Sequence, residues 1–267
     1  MHRSELARPE RDGTPAATPA TAGLTLLASL AALLATGAAC ASYGPTDEAL
    51  DALTSDNLVT VTDEDDWIRF DPADVTFRAG VVFYPGAFVE AEAYAPPLRL
   101  LAEQGVTTVL VRMPSKLAVL KPNAAEDVFA AVDGPEVWVI AGHSLGGAMA
   151  AHFAAGHPDE VVGLAMWAGY PPAKDDMSEQ DIAVTSVTAT EDQVLERDKF
   201  DETKALLPAD TTFPVIEGGN HAGFGSYGAQ KKDGEATITP EAQQEQAVAA
   251  VVALLERVEG GVSARTP

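Results

Sequence analysis

The stretch from Val137 to Ala150 constrains the fold more than any other part of the chain. Val137-Trp138-Val139-Ile140-Ala141 is an apolar, β-branched run, the pattern of a strand buried on both faces. Gly142-His143-Ser144-Leu145-Gly146 follows as a sharp turn, and Gly147-Ala148-Met149-Ala150 continues with helix propensity. Strand, G-x-S-x-G and helix in that order are the context of a nucleophile elbow. So tight a turn leaves no room for a Cβ at Gly142 or Gly146, and it holds Ser144 in a strained backbone conformation. The strain lifts the hydroxyl above the sheet. It also aims the Leu145 N–H, at the start of the new helix, at a developing oxyanion. A serine that only caps a helix is the alternative. With both flanks in place, the nucleophile is the better reading.

A serine hydroxyl is a weak nucleophile at neutral pH and needs a base, itself oriented by a third group. Behind an elbow of this kind, the acid and then the histidine follow along the chain. The chain has five histidines. His2 is N-terminal, His143 is inside the elbow, and His152 and His157 are on or just after its helix. His143 follows the strand and should point away from Ser144, so packing is its better reading. Only His221 lies well downstream, in the Gly-rich loop Glu217–Gly225 after a predicted strand. Parallel strands put such a loop on the same edge as the elbow. The acid is expected after the preceding strand, in Ala189-Thr190-Glu191-Asp192-Gln193-Val194. Asp192 takes the usual place, Glu191 competes one residue earlier, and Asp175, Asp176 and Asp181 are more distant alternatives. A second oxyanion donor is expected in Tyr84-Pro85-Gly86-Ala87-Phe88, with the Ala87 N–H favoured over that of Phe88.

Around these motifs, strands alternate with helices. Strands are predicted at Asn57–Thr62, Trp67–Phe70, Gly80–Tyr84, Val106–Val111, Val161–Trp167, Ile182–Ala189 and Phe213–Glu217. Helices are predicted at Ala91–Gln104, Asn123–Val132 with Asn123 as N-cap, Gln193–Leu207 and Glu241–Val258, besides the elbow helix. This pattern predicts one α/β domain with a mostly parallel sheet covered on both faces. The 14 residues between Ala168 and Asp181, where a lid is usual, form a short polar segment.

Phe83-Tyr84-Pro85-Gly86, Arg112-Met113-Pro114, the elbow through Ala150, and Gly218-Gly219-Asn220-His221-Ala222 together resemble the small bacterial α/β-hydrolases of the fold-5 type. The outline is similar to that of dienelactone hydrolases, which carry a cysteine where this chain has Ser144. The resemblance covers roughly residues 49–258. It implies an α/β-hydrolase fold with a minimal cap and serine-hydrolase chemistry, with a triad mapping to Ser144, Asp192 and His221. The family commonly has a glycine three residues before its acid, and this chain has Ala189 there. Family membership does not imply a substrate.

Residues 1–23 are polar and rich in Pro, Ala and Thr. Leu24–Ala39 is an uninterrupted charge-free run, the length of a signal-peptide core and short for a membrane span. Cys40, the only cysteine, follows it directly and cannot form an internal disulfide. Small residues before a cysteine look like a bacterial lipoprotein processing site, although Gly37 stands where a large aliphatic residue is usual. A plain signal peptide and an uncleaved anchor are the alternatives, and all three export the domain. The expected organisation is a signal segment at 1–40, a tether at 41–48, the hydrolase domain at 49–260 and a tail at 261–267. A formal charge of −23 disfavours nucleic acid or an anionic membrane as an electrostatic partner. No nucleotide loop or metal cluster is visible in the sequence, so no cofactor and no metal are expected.

The expectation is therefore an exported serine esterase acting on small soluble acyl substrates, with Leu145 and Ala87 amides receiving the oxyanion. It would sit on the outer face of the membrane as a lipoprotein, held only through its N-terminal anchor, or be secreted. An amidase, thioesterase or perhydrolase on the same site is one alternative. A non-catalytic surface-anchored binding protein that keeps the fold is another.

Overall fold

A computed structural model describes residues 42–265; the signal segment with Cys40 lies outside the described residues. The chain runs α1 (Asp47–Asp51), β1 (Val59–Asp63), β2 (Trp67–Pro72), β3 (Ala79–Tyr84), α2 (Ala95–Glu103), β4 (Thr108–Val111), α3 (Ala124–Ala131), β5 (Val137–His143), α4 (Leu145–Gly156), β6 (Gly163–Trp167), β7 (Ala183–Ala189), α5 (Arg197–Thr203), β8 (Val215–Ile216) and α6 (Pro240–Arg265). The eight strands form one sheet in the order β1-β2-β4-β3-β5-β6-β7-β8. β2 is antiparallel to both β1 and β4, and every other pair is parallel. The predicted mostly parallel sheet is what forms.

Period-2 alternation divides the core between the two faces of this sheet. Val81 and Phe83 of β3, with Val139 and Ala141 of β5, join Leu98 and Leu101 of α2 and Val251 and Leu254 of α6. Val82 and Tyr84 of β3, with Trp138 and Ile140 of β5, join Val128 of α3 and Phe153 of α4. The central strands are apolar on both sides because both sides are covered.

Several boundaries differ from the sequence reading. The helix expected over Ala91–Gln104 is a 3₁₀ turn at Ala91–Tyr94 followed by α2, whose first turn holds Pro96 and Pro97. Proline starts a helix readily and breaks one from inside, so the regular helix begins at the prolines. The helix expected over Gln193–Leu207 is α5 followed by a 3₁₀ turn at Lys204–Leu206, and it starts late because residues 192–195 are taken up by a turn around Asp192. Asn123 does occupy the N-cap, but its side chain bonds Glu126 at 3.0 Å and caps no backbone N–H. The strand expected over Phe213–Glu217 shrinks to Val215–Ile216, and the closing helix runs seven residues beyond Val258. No described helix is long and apolar enough to cross a membrane.

Candidate active site

β5 ends at His143, and the chain turns directly into α4 through Ser144, whose φ of 53° and ψ of −121° lie outside the regions L-residues favour. Two close approaches explain the glycines. A Cβ on Gly142 would lie 2.5 Å from the carbonyl carbon of Gly146, and one on Gly146 would lie 2.1 Å from the Tyr84 carbonyl oxygen. The strained serine is held from both sides. Its N–H donates to the Trp167 carbonyl of β6 at 2.8 Å, and its own carbonyl accepts from Ala148 N–H at 3.0 Å. Strain of this kind persists only where neighbours over-determine it.

His221 sits in the loop after β8, with its ring centroid 4.5 Å from that of His143, the residue preceding Ser144. Its Nδ1 lies 2.9 Å from Asp192 Oδ2, and both side chains are almost wholly buried. Asp192 is held in turn by the turn after β7, where its Oδ1 accepts the N–H groups of Val194 at 2.8 Å and Leu195 at 2.9 Å. Burial raises the Asp192 carboxyl. The hydrogen bond from His221, its charge and the two backbone N–H groups together outweigh that, and the pKa falls below the ordinary carboxylate value. An ionised Asp192 is an acceptor only, so His221 Nδ1 is the donor of this pair, and in a neutral imidazole Nε2 is then the nitrogen that carries the lone pair. Glu191 is directed elsewhere: its carboxylate accepts from the Thr190 hydroxyl at 3.1 Å. Asp175 pairs with His152 at 2.9 Å, and Asp176 accepts from Ser178. Among the described residues no hydrogen bond joins Ser144 to His221. Contacts of this kind commonly tighten only around bound substrate.

In the loop after β3, Gly86 N–H donates to the Tyr94 hydroxyl at 3.1 Å and Phe88 N–H to the Lys116 carbonyl at 2.9 Å. The Ala87 N–H between them has no partner among the described residues, and neither has the Leu145 N–H at the start of α4. Phe88, the less favoured oxyanion donor, has its amide committed.

The sequence reading gave His143 only a packing role, and the structure adds a polar one. Its Nδ1 lies 2.7 Å from the Tyr94 hydroxyl, the same oxygen that accepts from Gly86. The Tyr94 proton then has Nδ1 as its acceptor, which assigns the His143 proton to Nε2. Burial, followed by the neighbouring His221, lowers the His143 pKa well below the ordinary value. A neutral His143 places no second positive charge beside His221. Gln243 and Gln244 of α6 are further supports that sequence patterning missed. Gln243 bonds both the N–H (3.0 Å) and the carbonyl (2.6 Å) of Asn220, and Gln244 bonds Ser226 at 3.2 Å. Both glutamines are buried, and only the fold shows that they face the loop carrying His221.

Among the described residues, no three His, Cys, Asp or Glu side chains come together as a metal site. A cleft of about 550 Å³ opens behind the His221 loop, lined by Thr46, Asn220, Ser226, Glu241 and Gln243. Neither Ser144 nor His221 lines it, which places it apart from the candidate chemistry.

Comparison with solved structures finds the same architecture. A predicted CIB-like hydrolase from Thermoplasma acidophilum superposes with a TM-score of 0.56 at 15% identity, covering 72% of this chain and 98% of that one. A bacterial membrane phospholipase A gives a TM-score of 0.55 at 15% identity, covering 89% and 97%. An arylesterase gives 0.52 at 13% identity, covering 79% and 89%. At such identities the likeness is one of fold. No curated protein sequence matches the chain. The sequence model of the Alpha/beta hydrolase family matches residues 80–245, a span from β3 through the elbow, the Asp192 turn and the His221 loop into α6. With its motifs in that order on this sheet, the chain belongs to the Alpha/beta hydrolase family.

Proposed function

We propose that this protein is an exported serine hydrolase that cleaves carboxylic esters of small, soluble acyl groups. The observation that carries this reading is the buried His221–Asp192 pair at 2.9 Å, set beside the strained Ser144 elbow. Ser144 Oγ attacks the acyl carbon while His221 Nε2 takes its proton. The carbonyl electrons move onto oxygen, where the Leu145 and Ala87 amides stabilise the charge. His221 returns the proton to the leaving alcohol as the C–O bond breaks. It then removes a proton from water, which attacks the acyl-enzyme, and returns that proton to Ser144 Oγ as the Oγ–acyl bond breaks and the acid is released. Asp192 keeps the imidazole in the required tautomer and stabilises its cation.

Labelling with a fluorophosphonate probe, together with turnover on a short-chain ester, tests this. The parent is expected to react at Ser144, and Ser144→Ala to lose both labelling and turnover by several orders of magnitude. Asp192→Asn is expected to lower turnover at least about a hundredfold, whereas Glu191→Gln stays within a few-fold. Undiminished turnover in Ser144→Ala would overturn the reading. Reversed behaviour of the two acid variants would move the acid to Glu191.

Lipidation of Cys40 is proposed as the means of anchoring. Cys40→Ser is expected to release the protein from the membrane fraction or block its processing. An unchanged membrane-bound fraction would favour an uncleaved anchor. One lipid chain alone binds only marginally, so firm attachment needs more than one.

A further inference from the structure

Residues 42–46, within the segment read as a tether, lie across two loops of the candidate site. Tyr43 forms an isolated parallel bridge with Val89. Its N–H donates to the Phe88 carbonyl at 2.9 Å, and its carbonyl accepts from Glu90 N–H at 2.9 Å. This fixes the loop that carries the Ala87 amide. The other end of the same residue reaches the His221 loop. The Tyr43 ring packs on Tyr227 at 5.5 Å, and its hydroxyl accepts from Lys231 N–H at 3.2 Å. Thr46 N–H adds a bond to the Ser226 carbonyl at 2.9 Å. Ser42 accepts from the Lys116 ammonium, and Lys116 also pairs with Glu90 at 2.9 Å.

Phe88 supplies the reason such a strap matters. Its φ is 62°, a left-handed conformation that is strained for a bulky side chain. Two bonds hold it there, Phe88 N–H to Lys116 and Tyr43 N–H to the Phe88 carbonyl. Lys116 is itself left-handed, with a φ of 59°. A relaxed Phe88 would turn the Ala87–Phe88 peptide and, through Ala87, shift the preceding one, whose N–H is the one amide of that loop left unpartnered. Oxyanion stabilisation depends on where the donor points, and small displacements are expensive in rate.

We infer that Tyr43 is a positioning residue for hydrolysis, the centre of a strap at residues 42–46 that ties the Ala87 loop to the His221 loop. The inference rests on the serine-hydrolase reading. Its test compares full-length parent, Tyr43→Phe and Tyr43→Ala for kcat and KM on a soluble short-chain ester, inhibition by a boronic acid, and melting temperature. The boronate forms a tetrahedral adduct with the serine and reports transition-state binding. Tyr43→Ala is expected to lower kcat by about ten- to a hundredfold, with KM within about twofold. Boronate affinity is expected to fall with kcat while the protein remains folded at the assay temperature. Tyr43→Phe keeps the ring that seats residue 43 on Tyr227, which Tyr43→Ala removes, and is expected to stay within about threefold of the parent. An active parent with unchanged kcat in Tyr43→Ala would overturn the inference alone. So would a loss accounted for by the unfolded fraction, with the folded remainder binding boronate as the parent does. A parent that neither turns over ester nor reacts with fluorophosphonate would overturn the serine-hydrolase reading, and the strap's role with it.

Discussion

His143 shows how one residue of the elbow acts beyond its motif. It is buried, bonds the Tyr94 hydroxyl that also accepts from Gly86 N–H, and has a pKa lowered well below its ordinary 6.5. The unfolded chain therefore binds a proton at this residue as pH falls through about 6.5, while the folded chain does not. The stabilisation is complete above that pH and declines below it, by at most about 1.4 kcal/mol per pH unit for one proton. The lowered Asp192 carboxyl acts in a different window, stabilising above its ordinary value of about 4 and losing that contribution as pH falls further. Between these windows the histidine can be read by comparing variants. Denaturant melts of the parent and His143→Asn at pH 7.5 and 5.5 are expected to show a smaller acid loss in the variant. Asparagine keeps an acceptor near the Tyr94 hydroxyl and cannot take the proton. Equal pH dependence in both proteins would count against the neutral, buried His143. Ser144 was legible in the sequence because close packing writes itself as glycines. The bond from His143 to Tyr94 was not, because 49 residues separate its ends.

At the scale of the element, the junction of β5 and α4 was read to within two residues on either side, whereas the Asp192 and α2 regions were not. The difference is physical. A buried strand entering a glycine turn has one solution. A loop that must present a carboxylate to His221 gives up helical bonds to do so, as Val194 and Leu195 do for Asp192. The Gln243 and Asn220 bonds between α6 and the His221 loop leave no periodic trace in the sequence. The elbow makes a separate prediction. Gly146→Ala places a methyl group 2.1 Å from the Tyr84 carbonyl oxygen, and both partners are backbone of adjoining central elements. Neither can yield without displacing β3 or α4. A destabilisation of about 3 kcal/mol is expected, at the upper end for overpacking, or roughly a 6–12 °C fall in melting temperature. Calorimetry of the variant checks this, and a shift below about 2 °C would mean that the turn is looser than described.

For the whole molecule, the proposed activity raises the question of what size of acyl group the site would admit. An enzyme that works on lipid interfaces usually carries a large apolar cap able to open. Here the segment in the cap's place, residues 168–181, is bound down on α4 and its surroundings. Asp175 pairs with His152, Gln180 donates to the Ala155 carbonyl at 3.0 Å, and Met177 is buried with its N–H on the Leu206 carbonyl. The residues it exposes include Lys174, Asp176 and Glu179, which offer an acyl chain no apolar wall. Phe88 is the one large apolar side chain of the Ala87 loop that is exposed, at 36%. The formal charge of −23 adds to this, since an anionic protein is repelled by the anionic surface that released fatty acids build at an emulsion. Cap and charge lead to the same outcome. Initial rates on acetyl and butyryl esters in solution are expected to exceed those on long-chain triglyceride emulsions by at least about tenfold, and salt to narrow that gap only in part. Two causes are being separated. Screening removes repulsion but supplies no apolar wall, so a gap abolished by salt would assign the selectivity to charge alone. Faster turnover on emulsions than on soluble esters would show that residues 168–181 open despite their bonds, and would replace the small-acyl assignment with an interfacial one.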